Sequence, residues 1–286
     1  RGTLWSMELF LKCHYRIMKE LEVKYQTAIL AAVEASQIIM DIYENDFDTI
    51  IKDDGSPLTK ADLASTKIIH KHLEPLKIPI TGEETDKMPF SERKTWKECW
   101  CIDPLDGTKE FINRNGEFAV NIALLRDGKP VFGLIASPVQ KIIFFGGAET
   151  GVYKMSYEDI DSPQNWEHIT EPTQVNSPMV MTCSRSHHSG PVLSFINELK
   201  QISPTIEFAK KGSSLKFFDL ASGAADAYPR FAPTMEWDIA AGQAILEALG
   251  GSVVHAETGL PLYYNKENLT NPYFIAKTKP LLALSS

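Results

Sequence analysis

The sequence predicts an α+β fold for its first half and an α/β fold for its second half. Residues 118–154 contain short apolar runs joined by Asp127-Gly128 and Gly146-Gly147, a pattern typical of an antiparallel meander. After residue 178, short apolar strands alternate with helical periodicity. The segment 156–178 is polar, contains proline and lacks clear periodicity, so it is the expected junction between the halves.

The first half begins with two predicted helices. Apolar positions from Val23 to Asn45 recur at four- and three-residue steps, which predicts an amphipathic helix packed on a sheet. A second helix is predicted from about Lys60 to Leu73, after a turn-rich loop at 52–57. The predicted strands of the meander are 118–125, 131–136, 141–145 and 152–154.

In the second half, strands are predicted near 179–183 and 205–208, and helices at 191–200, 215–222 and 239–249. The last helix is expected to end at Gly250-Gly251.

The chain is expected to divide into an N-terminal extension and two subdomains. We expect residues 1–17 to be a tag or upstream extension, with translation starting at Met7 or Met18. Residues 18–155 are the expected N-terminal α+β subdomain with the metal site, and 156–286 the C-terminal α/β subdomain with the substrate-binding motifs.

Composition and charge limit the classes of function that this chain can have. The 286 residues carry a net charge of −8 and 43% hydrophobic residues, which supports an ample core and gives no global attraction for nucleic acid. No segment approaches the roughly 20 apolar residues of a membrane span. We expect a cytoplasmic protein that acts on a small molecule. Peripheral contact with the inner face of the cell membrane and the oligomeric state stay open.

The run from Cys101 to Phe111 carries the strongest chemical signal. Asp103 and Asp106 supply two oxygen ligands of the kind that Mg²⁺ prefers, and Pro104 kinks the chain so that the Leu105 carbonyl can face the same ion. The N–H groups of Gly107 and Thr108, at a predicted helix start, would point at a phosphate. The alternative is an ordinary β-turn followed by a threonine cap.

Three further acidic residues occupy ends of predicted elements. Glu83 follows the apolar stretch 78–80, Asp62 lies in the first turn of the second helix, and Asp238 lies at the start of the last helix. Each has an ordinary explanation: an acidic surface turn for Glu83, interaction with the helix dipole for Asp62, and an N-cap for Asp238.

Taken together, these motifs resemble those of the inositol monophosphatase superfamily of lithium-sensitive, Mg²⁺-dependent phosphatases. The resemblance rests on Asp103-Pro-Leu-Asp-Gly-Thr108, Gly82-Glu-Glu84 and Trp237-Asp-Ile-Ala-Ala-Gly242, and extends from about Met18 over nearly the whole chain. Finer matches resemble the bacterial 3′(2′),5′-bisphosphate nucleotidase branch; they are residues 107–124, 184–187, 212–217 and 228–231. The resemblance implies a layered α-β-α-β-α sandwich of the sugar-phosphatase type.

The resemblance also implies roles for individual residues. It implies two or three Mg²⁺ ions per active site, inhibition by Li⁺, and metal binding by Glu83, Asp103, the Leu105 carbonyl, Asp106 and Asp238. Asp62 and Thr108 are implied to orient and deprotonate the attacking water. The implied substrate-binding residues are Glu83, Leu105, Asp106, Gly107, Thr108, His187, Ser213, Ser214, Lys216, Arg230 and Asp238. The turn at 212–214, directly before the predicted helix at 215–222, is also a favourable place for an anion, because free N–H groups and the helix dipole are expected to converge there.

The implied activity is hydrolysis of adenosine 3′,5′-bisphosphate to AMP and phosphate, with its sulfated precursor as a second candidate substrate, in sulfur metabolism. An inositol or sugar monophosphatase with the same metal site is the nearest alternative. A noncatalytic phospho-ligand binding protein and an oligonucleotide-processing protein are further alternatives. The retained acidic residues argue against the first of these, and the net charge of −8 argues against the second.

Overall fold

The computed structural model describes residues 21–45, 49–52, 57–183 and 190–285. The helices are α1 Val23–Tyr43, α2 Lys60–Leu73, α3 Phe90–Arg93, α4 Thr108–Ile112, α5 Pro191–Leu199, α6 Lys216–Ala221, α7 Glu236–Ala248 and α8 Lys279–Leu284. The strands of the first half are β1 Thr49–Ile51, β2 Pro57–Thr59, β3 Ile80–Gly82, β4 Glu98–Asp106, β5 Ala119–Arg126, β6 Lys129–Ser137, β7 Ile142–Gly147, β8 Gly151–Ser156 and β9 Glu167–Ile169. Those of the second half are β10 Met179–Cys183, β11 Ile206–Lys210, β12 Ala227–Arg230, β13 Ser252–His255 and β14 Phe274–Lys277.

A seven-stranded sheet forms the centre of the first half, in the order β3-β4-β5-β6-β7-β8-β9. From β4 to β9 each neighbouring pair is antiparallel, which confirms the predicted meander. The sheet also contains β9, which lies within the expected junction at 156–178. The large sheet therefore extends past the expected boundary at residue 155, and the division into two subdomains stays a prediction.

Both faces of this sheet are covered, because side chains along each strand alternate between two cores. Trp100 and Ile102 of β4 point into a core shared with α1 and α2, where the ring of Tyr25 stacks on that of Phe132 at 4.2 Å. Cys99 and Cys101 point to the opposite core, which contains residues of α6 and α7. Helices α1 and α2 thus form one outer layer, and α6 and α7 form the middle layer.

Helix α7 lies close against the large sheet at one glycine. A Cβ atom at Gly133 of β6 would lie 2.1 Å from the carbonyl oxygen of Ala241, so only glycine permits this approach. The approach brings the first turn of α7 toward the end of β4, where the acidic motif lies.

The second half contains a five-stranded sheet in the order β11-β10-β12-β14-β13. Strand β10 runs parallel to both β11 and β12, as expected for α/β structure, whereas β14 pairs antiparallel with β12 and β13. Met179 and Met181 pack with Phe195 of α5 and Leu281 of α8, which form the last layer. The order of layers is α-β-α-β-α, and the predicted sandwich is confirmed.

Along the residues that the structure describes, no helix combines the length and the apolar character needed to span a membrane.

Candidate active site

The motif at the end of β4 has the predicted kink. The pairing of β4 with β5 shifts register between Asp103 and Asp106, so the backbone leaves regular strand geometry at Pro104. The N–H of Leu105 donates to Asp103 Oδ1 at 3.0 Å. Gly107 has φ 95°, a conformation that favours glycine, and α4 starts at the next residue. This local geometry brings both carboxylates of the motif to the same end of the strand.

Asp238 joins these two carboxylates from the other half of the chain. Single carboxylate oxygens of Asp103, Asp106 and Asp238 all lie within 4.8 Å of one another. Asp238 is the third residue of α7, and its Oδ2 accepts the N–H of Met235 at 2.8 Å. The ordinary explanation of Asp238 as the N-cap is therefore wrong, since Met235 holds that position.

Burial and mutual repulsion keep these carboxylates from ionising freely. Burial raises the pKa of Asp103 and Asp106, and the charge of Glu83 raises that of Asp103 further. Burial, followed by the charge of Asp106, raises the pKa of Asp238 to about 8. Three oxygen donors that repel one another at this distance fit a hard divalent cation, which would neutralise them.

Glu83 lies beside this cluster and forms an ion pair. It follows β3, and its Oε1 lies 3.2 Å from Lys52 Nζ, which also contacts the carboxylate of Glu84. The charge of Glu83 nevertheless contributes to the raised pKa of both Asp103 and Asp238. The residue is close enough to act on the cluster electrostatically while it is held by Lys52.

Asp62 and Thr108 are hydrogen-bonded to each other. The Thr108 hydroxyl donates to Asp62 Oδ1 at 3.0 Å. Asp62 Oδ2 accepts the backbone N–H of Thr59 at 2.7 Å and its hydroxyl at 2.6 Å, so Asp62 also completes a capping box at the start of α2. Ser65 of the same helix donates to the Pro104 carbonyl at 2.6 Å, which fixes α2 against the kink.

A cavity of about 480 Å³ opens beside the acidic cluster. Seven of the predicted site residues line it: Asp106, Gly107, Ser213, Ser214, Lys216, Arg230 and Asp238. The sequence assigned no individual role to the other polar residues of its wall, which are Lys109, Glu110, Asn113, Asn115, Lys211, Tyr228 and Thr234. His187 lies outside the described residues.

Lys216 is an interior cation of this cavity wall. Its side chain is almost fully buried, and its Nζ donates to the Ser213 carbonyl at 2.8 Å and lies 5.2 Å from the centre of the Tyr228 ring. Burial lowers the pKa of Lys216 to about 8, an effect that the negative charge of Asp106 opposes. Arg230, at the end of β12, lines the same wall.

The turn at 212–214 differs from the expectation of free N–H groups. The Gly212 N–H donates to Glu117 Oε2 at 2.8 Å, and the Ser214 N–H donates to Asp106 Oδ2 at 2.5 Å. Free donors at Gly212 and Ser214 were therefore a wrong prediction, because two carboxylates distant in sequence accept them. Ser213 lies between them with φ 49°.

Sequence reasoning also missed Asn121, whose amide contacts Asp106. One signal was available: Asn121 is the single uncharged polar residue of β5, an otherwise apolar strand that ends in Arg126. An amide among the buried residues of a strand requires hydrogen-bond partners.

Known proteins resemble this chain over most of its length. The model of the "Inositol monophosphatase family" matches residues 20–283. The 3′(2′),5′-bisphosphate nucleotidase CysQ of Escherichia coli O6:H1 is 39% identical over 250 residues, which cover 85% of this chain and 95% of the relative. The protein of the same name from Haemophilus influenzae is 32% identical over 255 residues, covering 86% and 90%.

Solved structures also resemble this chain over most of its length. The crystal structure of CysQ from Bacteroides thetaiotaomicron has a TM-score of 0.80 and 40% sequence identity, and the match covers 91% of this chain and 98% of that one. The extragenic suppressor protein suhB from Bartonella henselae has a TM-score of 0.72 at 22% identity, covering 92% and 97%, which supports the fold alone.

Proposed function

We propose that this chain, which belongs to the inositol monophosphatase family, hydrolyses adenosine 3′,5′-bisphosphate to AMP and phosphate. Its relatives named 3′(2′),5′-bisphosphate nucleotidase, at 32–39% identity over most of the chain, support this activity. The observation that carries the proposal is one cavity with two chemically different walls. Asp106 and Asp238 of the acidic cluster line one part of it, and Lys216 and Arg230 line another.

Enzymes of this family depend on metal ions, and we assign two or three Mg²⁺ ions to the acidic cluster. Asp103, Asp106 and Asp238 would hold them, together with the Leu105 carbonyl. Glu83 would join after its carboxylate leaves Lys52, with which it is paired at 3.2 Å. When bound, Mg²⁺ supplies Lewis-acid stabilisation of the phosphoryl oxygens and lowers the pKa of water.

The Asp62–Thr108 pair is assigned to the attacking water. The Thr108 hydroxyl donates to Asp62 Oδ1 at 3.0 Å, which leaves the lone pairs of its oxygen available to accept a proton from water while its own proton passes to the carboxylate. Burial raises the pKa of Asp62, so this carboxylate is a better proton acceptor than an exposed aspartate. Two hydrogen bonds from Thr59 hold its other oxygen in place.

The remaining polar wall is assigned to the rest of the nucleotide. Gly107, the N-cap of α4, and Thr108, its first residue, would face the phosphate that is cleaved. Lys216 and Arg230 would bind the second phosphate, the lysine as a point charge and the arginine as a fork. Ser213, Ser214 and His187 belong to the same proposed binding set. In this proposal the metal site belongs to residues 18–155 and the nucleotide-binding motifs to residues 156–286, with Asp238 supplied across the boundary.

An inositol or sugar monophosphatase is the second candidate, because the acidic cluster would serve either substrate. The cations of the cavity favour the bisphosphate, since a monophosphate offers no second anion for buried Lys216 and neighbouring Arg230.

The proposal is tested by phosphate release from adenosine 3′,5′-bisphosphate and from inositol 1-phosphate, each with Mg²⁺ and with added Li⁺. We expect release from the nucleotide that requires Mg²⁺ and is inhibited by Li⁺. Preference for the inositol ester would discard the nucleotide assignment and retain the metal site. No release from any phosphomonoester with Mg²⁺ would discard both.

A further inference from the structure

We propose that Asn121 is a positioning residue that sets the orientation of Asp106 and the placement of Asp238 for metal binding. The inference rests on the proposed function, since it takes these two aspartates as metal ligands. Asn121 lies within β5, beneath the acidic cluster, and its side chain is fully buried.

The Asn121 amide joins three elements that meet at the site. Its Nδ2 donates to Asp106 Oδ2 at 3.3 Å and to the Trp237 carbonyl at 3.4 Å. Its Oδ1 accepts the Ser214 hydroxyl at 2.6 Å. One side chain therefore contacts the end of β4, the turn before α6 and the first turn of α7, which come from both halves of the chain.

Only one orientation of this amide satisfies its neighbours. Both N–H donors and the oxygen have partners, so no polar atom of the side chain is left unsatisfied. A flipped amide would place its oxygen against Asp106 Oδ2 and the Trp237 carbonyl, two acceptors that offer no proton. The Ser214 hydroxyl keeps the donor side toward Asp106.

This orientation determines which oxygen of Asp106 faces the cation. Asp106 Oδ2 accepts the Ser214 N–H at 2.5 Å and the Asn121 amide at 3.3 Å. With Oδ2 occupied by two donors, Oδ1 is the oxygen left for a cation. The contact with the Trp237 carbonyl holds the residue directly before Asp238, so the same amide places the third carboxylate of the cluster.

The amide is required at this position for a chemical reason. Aspartate has the same shape as asparagine, but it would bring another carboxylate against Asp106 and another acceptor against the Trp237 carbonyl. Partners that orient metal ligands in this way are typically worth about 10- to 100-fold in metal affinity.

The test compares metal binding by the purified protein without substrate. Tb³⁺ binding is followed by luminescence that Trp237 can sensitise, and Mg²⁺ affinity is measured by its competition with Tb³⁺. We compare the wild type with Asn121→Ala, Ser214→Ala and the double variant. Asn176→Ala is the matched control, because this asparagine also donates two side-chain hydrogen bonds, to Gly223 and Asp226, which do not line the cavity.

We expect Asn121→Ala to weaken Mg²⁺ binding about 10- to 100-fold, and Ser214→Ala to weaken it less. The double variant should lose less than the product of the two single losses, because the Ser214 hydroxyl acts through the Asn121 amide, which the double variant also lacks. The control should bind Mg²⁺ like the wild type even if its melting temperature falls. If Asn121→Ala does not fold, the Ser214→Ala variant carries the test.

Wild-type-like Mg²⁺ affinity in Asn121→Ala or, where that variant does not fold, in Ser214→Ala would overturn this inference and leave the proposed function intact. Absence of saturable Tb³⁺ and Mg²⁺ binding by the wild type would overturn the proposed function together with the inference. The two failures are therefore distinguishable.

Discussion

Replacing Asp238 by asparagine should stabilise the metal-free protein while it removes metal binding. The carboxylate is held near two others in a buried cluster, and its pKa is raised from 3.8 to about 8. Unfolding releases the group to water, where it ionises freely at neutral pH. The folded state therefore carries a free-energy cost at pH 7 that the Asp238→Asn variant lacks.

The magnitude follows from the distance between pH 7 and the ordinary pKa. At about 1.4 kcal/mol for each pH unit, the interval from the ordinary pKa of 3.8 to pH 7 corresponds to an upper bound of about 4 kcal/mol on the free-energy cost. The Asp238 side chain keeps some contact with the solvent of the cavity, so screening reduces this value and we expect a gain of about 1–3 kcal/mol. For a chain of 286 residues, that gain raises the melting temperature by about 2–5 °C.

The sign of the pH dependence follows from the raised pKa. Below about pH 4, Asp238 is protonated in both the folded and unfolded states, so wild type and variant should melt at similar temperatures. The advantage of the variant should grow as pH rises from about 4 toward 8, because the wild type progressively loses stability over that range. Asp41→Asn, at an exposed position of α1, is the matched control and should show no such dependence.

The assay is thermal unfolding in EDTA at several pH values, repeated with excess Mg²⁺. Mg²⁺ should raise the melting temperature of the wild type by mass action and have little effect on Asp238→Asn. A variant that melts below the wild type in EDTA at pH 7 would refute the reasoning, since it would show that the carboxylate stabilises the metal-free fold.

Three further results are expected. Thr108→Ala should lower kcat about 100-fold or more with little change in Mg²⁺ affinity. Thr108→Ser should restore turnover, because Asp62 needs only the hydroxyl. Activity of the alanine variant equal to that of the wild type would contradict the assigned role. Lys216→Ala should raise KM for a bisphosphate at least about 10-fold more than for a monophosphate, and equal losses would show that it does not bind the second phosphate. Gly133→Ala should cost about 2 kcal/mol or more in denaturant unfolding, because its Cβ would meet the Ala241 carbonyl at 2.1 Å, and an unchanged midpoint would contradict this close packing.

Much of the fold could be predicted because it follows from local patterns. The helix at Lys60–Leu73 was predicted with its observed bounds, and the turn at Asp127-Gly128 connects β5 and β6 as expected. The turn predicted at Gly146-Gly147 was wrong, because both glycines pair with β8 at the end of β7 and the chain turns at 148–150. Strands β12 to β14 were missed because they are four residues long, which is too short for alternation to establish a strand. Strand β9 was missed for a related reason: its three residues are partly exposed, and only pairing with β8 makes them a strand.

In the site as well, features set by adjacent residues could be predicted, whereas those set by distant contacts could not. The kink at Pro104 and the positive φ at Gly107 are properties of a few adjacent residues, and the motif shows them directly. The donors at Gly212 and Ser214 looked free because nothing near them in sequence accepts them. Their acceptors, Glu117 and Asp106, lie 95 and 108 residues away.

Those distant contacts also determine what the cavity can bind. Because Glu117 and Asp106 already occupy the two N–H groups of the turn, these groups are not available to an incoming anion. In the proposed function, the positive charge for a second phosphate would therefore come from side chains such as Lys216, which is buried and whose Nζ lies 2.8 Å from the Ser213 carbonyl. We therefore expect the side-chain cations, rather than the N–H groups of Gly212 and Ser214, to determine selectivity for a bisphosphate.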